Sequence, residues 1–462
     1  MKRKTRTKQA TASAPAPTSR RAPQQSTGSR ASGGKETAQR AVGQGAERSS
    51  AKKPNAGNPV AASLAKPQSR RKAAAKSAES IDLLLQLLAI PGPSGQELAV
   101  SQFVQQTLID AGAKADQFAT DKAHQRSVLK GQTGNLVWRL PGTKSGDRRM
   151  LMAHLDTVPI CVGCQPVRRG QFISSRDPHT GLGADDRAGT AVLLQTALRL
   201  LREDLPHPPL TFLWTVQEEI GLHGARNLSL GMLGKPRMAF NWDGGAANKL
   251  TIGATGGYRF EITIHGKASH AGGAPERGIS AIAVAAKAIA RLHDGGWHGL
   301  IQQPGGNGTS NVGVIQGGAA TNVVTDCVRV RAEARSHDPQ FRQQIIAQIE
   351  REFRDAAASV KNVDGQAATV EISGRLDYES FQLAPQDPPV QAASAAVVAC
   401  DLQPELAITN GGLDANWLSA RGIPTVTLGC GQLGQHTVDE QLDLEQFHAA
   451  CRIAWKLATN SD

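Results

Sequence analysis

Three apolar, strand-prone runs in this chain each end in a histidine or a carboxylate. Met150-Leu151-Met152-Ala153 leads into His154-Leu155-Asp156, Leu210 to Val216 into Gln217-Glu218-Glu219, and Arg237 to Trp242 into Asp243. Strands alternating with helical segments build an α/β sheet, and such sheets gather ligands at the C-terminal ends of their strands. Residues i and i+2 of an extended strand share a face, so His154 and Asp156 are delivered side by side. A carboxylate beside an imidazole fixes its tautomer, as around metal-bound histidines. A hydrogen-bonded surface pair is the plainer alternative for these two residues alone.

Other polar clusters follow the same rule. Gly181-Leu182-Gly183-Ala184-Asp185-Asp186 precedes an amphipathic helix from Thr190 to about Arg202, and either aspartate could cap it. Glu218 and Glu219 would face opposite ways on a regular strand. They can share a site only if the chain leaves strand geometry, which Gly221 permits. The strand Ile423 to Leu428 runs through Gly429-Cys430-Gly431 towards His436 and Glu440. Ser94 with Glu97 reads as a capping box for a helix reaching about Ala111. Cys161-Val162-Gly163-Cys164 is a lone C-x-x-C with no second pair, and reads as two cysteines lining a loop.

Charge divides the 462 residues unevenly. Residues 1–80 carry 18 Lys plus Arg against three acids, with almost no large apolar side chain. Such a segment cannot offset its chain entropy and is expected to be a disordered tail able to bind anionic surfaces nonspecifically. The remaining 34 basic and 37 acidic residues leave 81–462 slightly acidic, at −3. No apolar stretch reaches the ~20 residues of a membrane span, and the tail lacks the apolar core of a secretory signal. The location expected is cytoplasmic, with organellar targeting by the tail as the alternative.

Past Thr251 the pattern changes to β-α-β-β-α-β. Strands are expected at 257–266, 310–316, 323–334 and about 368–373, with helices at about 279–292 and 339–360. This order is the ferredoxin-like split unit. The expected organisation is a tail (1–80), a catalytic domain in two parts (81–251 and 377–462) and an inserted domain (252–376). Together His154, Asp185 or Asp186, Glu218, Glu219, Asp243 and His436 suit two divalent ions such as zinc. A carboxylate can bridge metals about 3.5–4 Å apart, and a spare acid can act as general base.

The segments HLDTVP, GLGADDRAG, QEEIG, NWDGG, GKASHAG, AATNVV, GGLDANW and GQHTVDE carry a resemblance. They look like those of the di-zinc exopeptidase family that holds peptidase T, glutamate carboxypeptidase and the aminoacylases, above all its peptidase T-like branch. The likeness covers about 81–462 and does not extend to the tail. It implies a zinc-exopeptidase-like mixed sheet with helices on both faces, plus an inserted lid through which the chain forms a homodimer. It places His154 and Asp243 on one zinc, Glu219 and His436 on the other, and Asp185 between them; cobalt or manganese are the alternative metals. Asp156 would orient His154, and Glu218 would be the general base. His270 would reach a neighbouring site to stabilise the oxyanion, Asn322 and Arg335 would grip substrate, and Gly411, Gly412 and Asp414 would form the substrate-side loop. The activity implied is tripeptide aminopeptidase-like hydrolysis of small peptides. A carboxypeptidase, dipeptidase or N-acyl-amino-acid deacylase is the alternative among enzymes, and a non-catalytic binding protein with a basic tail the alternative outside them.

Overall fold

The computed structural model describes residues 80–203 and 205–459. The expectations for the basic tail lie outside them. The apolar runs become the centre of a nine-stranded mixed sheet. From one edge its order is Phe118–Thr120, Leu136–Leu140, Leu210–Thr215, Arg149–His154, Met238–Trp242, Thr425–Leu428 and Lys249–Ala254, with Phe381–Gln382 and Glu405–Thr409 both pairing to Lys249–Ala254. The middle four strands, Leu210–Thr215 to Thr425–Leu428, are mutually parallel.

Both faces of this sheet are covered, and the two-residue period shows it. Leu151, Trp138, Phe212, Trp214, Phe240 and Trp242 point into the larger core. Their sequence neighbours Met150, Met152, Val137, Leu213 and Ala239 point into a smaller one on the opposite face. A strand buried on both sides therefore reads as a continuous apolar run rather than an alternating one. The larger core is closed by the helices Leu98–Asp110, Ala184–Glu203, Pro388–Val398 and Leu444–Thr459.

A second, antiparallel sheet has the order Gly299–Gln303, Gly306–Gly317, Cys327–Ser336, Gly256–His265 and Thr369–Tyr378. The helices Ala281–Asp294 and Pro339–Ser359 pack on one of its faces over Phe260, Ile262, Ile264, Val328 and Val330. Four of these strands take the expected ferredoxin-like arrangement. The fifth, Gly299–Gln303, was not expected; it forms a hairpin with the next strand and becomes an edge. Its flanking glycines conceal a strand whose only buried side chain is Ile301.

A third sheet of short strands joins Gln432–Leu433, Gln441–Asp443, Phe172–Ser175 and Pro166–Arg169. It makes 432–443 a hairpin whose loop carries His436 and holds that loop against the segment leading to Asp185.

Candidate metal centre

The site is built where three parallel strands end. His154 is the last residue of its strand, and Asp243 directly follows Met238–Trp242. Asp243 donates its backbone N–H to Leu428 O (3.1 Å), which ties it to the adjacent strand. Gly189, in the helix after Asp185, packs against that strand end. A Cβ there would lie 2.4 Å from Trp242 O, so only glycine fits.

The neighbouring aspartates part company. Asp185 Oδ1 lies 3.2 Å from His154 Nε2 and its Oδ2 3.3 Å from His436 Nε2. Asp186 turns the other way. It accepts the N–H of Gly189 (3.0 Å), three residues on, and so caps the helix; it also accepts the N–H of His154 (3.1 Å) and the amide of Gln432 (2.9 Å). Asp185 therefore faces both imidazoles, and Asp186 holds the scaffold.

The chain leaves strand geometry ahead of Glu218 and Glu219, at Gln217 rather than at Gly221. Gln217 adopts φ +54°, a left-handed conformation unusual for a residue with a side chain. Three successive N–H groups of this turn donate to buried carboxylates: Gln217 to Glu97 Oε1 (3.1 Å), Glu218 to Asp156 Oδ1 (2.9 Å) and Glu219 to Asp156 Oδ2 (3.2 Å). Ser94 Oγ also donates to Asp156 (2.6 Å). The capping box expected of Ser94 and Glu97 is thus not made; both side chains serve the turn instead. Asp156 still approaches the imidazole. Its backbone carbonyl is 3.1 Å from His154 Nδ1 and its carboxylate 3.5 Å.

Two groups of potential ligand atoms converge within 4.8 Å: His154, Asp185 and Asp243, and Asp185, Glu219 and His436. Glu219 Oε2 is 3.0 Å from His436 Nε2, while its Oε1 is buried without a partner. Electrostatics favours a cation here. Burial and the nearby Asp185 push Asp243 up to about 7. Burial also raises Glu218 well above its usual range, reinforced by Asp243, Asp414 and Glu219. His436 is pushed up to about 10 by Asp185 and Glu219. For His154, burial opposes protonation, but Asp156 and Asp185 outweigh it and hold the ring well above its usual value. Crowded carboxylates that hold protons so tightly are short of positive charge, and imidazole with carboxylate is a donor set that divalent metals accept. The residues present fit two such ions.

None of the other expected residues is among the converging groups, though Asp414 lies near enough to raise Glu218 and Asp243. His270 is exposed on the second sheet's loop, its Nδ1 accepting the N–H groups of Gly272 and Gly273; Ala271 donates to the backbone of Asn322. Arg335 is forked onto Glu333 through two 3.0 Å bonds. Asp414 is buried and accepts the Thr215 hydroxyl (2.5 Å), with its other oxygen unpartnered. Gly411 and Gly412 sit on the loop before it, where a Cβ on Gly412 would meet the Tyr378 ring.

Residues 252–361 match the peptidase dimerisation domain of the M20 family, and residues 135–272 match peptidase family M28. The protein YqjE of Bacillus subtilis (strain 168) is 32% identical over 368 residues, covering 79% of this chain and 94% of that protein. The chain belongs to the M20 family of peptidases. Two solved structures place this M20 member beside peptidase T-like enzymes. Aminopeptidase PepT of Bacillus cereus ATCC 10987 is 30% identical with a TM-score of 0.72, and a tripeptidase of Staphylococcus aureus Mu50 is 28% identical with a TM-score of 0.75. Each covers 83% of this chain and 98% of its own. Among the described residues no helix is long and apolar enough to cross a membrane.

Sequence reasoning missed Gln432 and the anchoring roles of Glu97 and Glu440. Each is a buried polar side chain whose partners are backbone groups or side chains far along the chain, and no local pattern marks that.

Proposed function

We propose that this M20 peptidase is a two-metal aminopeptidase that removes the N-terminal residue of tripeptide-sized substrates. The observation that carries the reading is the pair of ligand groups sharing Asp185, with Glu218 held beside them by the Asp156-anchored turn. His154, Asp185 and Asp243 would hold one cation, and Asp185, Glu219 and His436 the other, with zinc the first choice. Bound there, the two ions supply Lewis acidity and make water acidic enough to yield a nucleophile near neutral pH. Glu218 takes a proton from the attacking water as the C–O bond forms, and delivers it to the leaving amine as the C–N bond breaks. A buried carboxylate whose proton affinity is raised suits both halves of that exchange.

The lid at 252–376 would pair two copies, in keeping with the dimerisation domain matched there. His270 of one copy would then serve the other's site as an oxyanion donor, with Asn322 and Arg335 binding substrate oxygens. Gly411, Gly412 and Asp414 would shape the substrate side of the cavity. The bidentate Glu333 contact means that a substrate carboxylate must compete for Arg335.

Metal analysis coupled to a substrate panel tests the reading. The expected result is two divalent ions per chain and chelator-sensitive cleavage of free tripeptides, with N-blocked peptides and N-acetyl amino acids left intact. Preferential cleavage of the blocked substrates would replace the aminopeptidase by a carboxypeptidase or deacylase. Undiminished cleavage by thoroughly demetallated protein would end the two-metal mechanism.

A further inference from the structure

Glu440 lies at the base of the hairpin loop that carries His436, and is only 1% exposed. It is not among the groups that converge as ligands. Instead its two oxygens divide between two backbone donors of the Asp185 loop: Gly183 N–H to Oε2 (2.6 Å) and Asp185 N–H to Oε1 (3.0 Å). The Cys161 thiol adds a long contact to Oε2 (3.8 Å). Its own N–H donates back to Thr437 O (3.4 Å), next to His436. One side chain therefore ties the His436 loop to the Asp185 loop.

The chemistry explains why a carboxylate stands here. Two donors on one strand of backbone need two acceptor atoms in a fixed fork, and ionised acceptors make the stronger bonds. Burying a charge is expensive, so a charge held in this way is held for position. Asp185 belongs to both ligand groups, but His436 belongs to only one. Fixing the distance between the two loops therefore bears most on the His436 half, because His154 and Asp243 are also set by the ends of their own strands.

We propose that Glu440 is a positioning residue that sets the affinity of the second cation site, formed by Asp185, Glu219 and His436, far more than that of the first. The proposal rests on the two-cation reading above. Glu440→Gln offers one acceptor where two are needed, and leaves a buried N–H unpaired. Loss of such an outer partner typically weakens metal binding about 10–100-fold, here at one site of two.

The test is titration of metal-free protein with Zn²⁺ against a chromophoric chelator, with melting temperature monitored alongside. Wild type should take up two equivalents. Glu440→Gln should bind one with near wild-type affinity and the second at least about tenfold more weakly, resembling His436→Ala in stoichiometry. Glu440→Asp, which keeps both oxygens on a shorter arm, should fall between, and it decides the matter if the glutamine variant does not fold. Two unchanged sites in the variants would overturn the role of Glu440 and leave the two-cation reading intact. Equal weakening of both sites would reduce Glu440 to a general charge or packing effect. Fewer than two equivalents in wild type would overturn both readings together.

Discussion

At the scale of single residues, the site separates groups that would bind ions from groups that hold those groups still. Glu218 is the side chain assigned to proton transfer. Glu218→Gln should keep its metal and its fold while kcat falls roughly 10²–10⁴-fold, the usual size of a general acid–base contribution. The check is turnover measured at matched metal content; near-normal turnover would move the base elsewhere. Glu97 allows a different measurement. Burial first, then the charge of Asp156, raises it to about 7. Because its folded value lies above its unfolded one, its contribution to stability is fully present below about pH 4.5 and is lost as pH rises through 7. In metal-free protein, Glu97→Gln should therefore gain melting temperature relative to wild type at pH 8 and lose that advantage at pH 4. A gain that does not change with pH would show that Glu97 is not the titrating group.

At the scale of elements, the turn at 217–219 is the least ordinary backbone in the site. Its left-handed Gln217 should tolerate glycine, while Gln217→Val places a β-branched side chain where it is strained by roughly 1–2 kcal/mol. The valine variant should lose both melting temperature and turnover, and the glycine variant much less. Equal behaviour of the two would show that the Gln217 side chain, which donates to Lys130 O, matters more than the backbone it sits on. This turn also marks how far sequence could be read. His154 and Asp243 were legible because each follows a strand long enough to show its apolar face. From the residues alone either Asp185 or Asp186 could face the cluster, since both lie at a helix start and capping suits either; only the family resemblance selects Asp185. Ser94 and Glu97 misled because the spacing of a capping box is local, while their true partners, Asp156 and Gln217, lie 62 and 120 residues away. The third sheet, of strands two to four residues long, leaves no periodicity to find.

At the scale of the whole molecule, the two sheets are joined by neighbouring crossings. Lys249–Ala254 passes almost directly into Gly256–His265, and Thr369–Tyr378 returns to Phe381–Gln382. Asn416 clamps the junction by donating to Thr255 O (3.0 Å) and Glu379 O (2.7 Å). Within one chain, His270 is engaged with its own loop rather than with the carboxylate cluster. Catalysis in trans therefore predicts that His270→Ala lowers kcat strongly, and that mixing it with excess Glu218→Gln protein restores activity through hybrid dimers. Failure of the mixture to recover, with subunit exchange verified, would place His270 outside the reaction. The shared Asp185 has one further consequence. His154 on its inner side is 2% exposed, whereas His436 on its outer side is 54% exposed. Ions bound to the two halves would not be equivalent in lifetime. The inner one would leave slowly and the outer one would trade readily with the surrounding solution, so a change in ambient metal supply would be felt first at that outer berth.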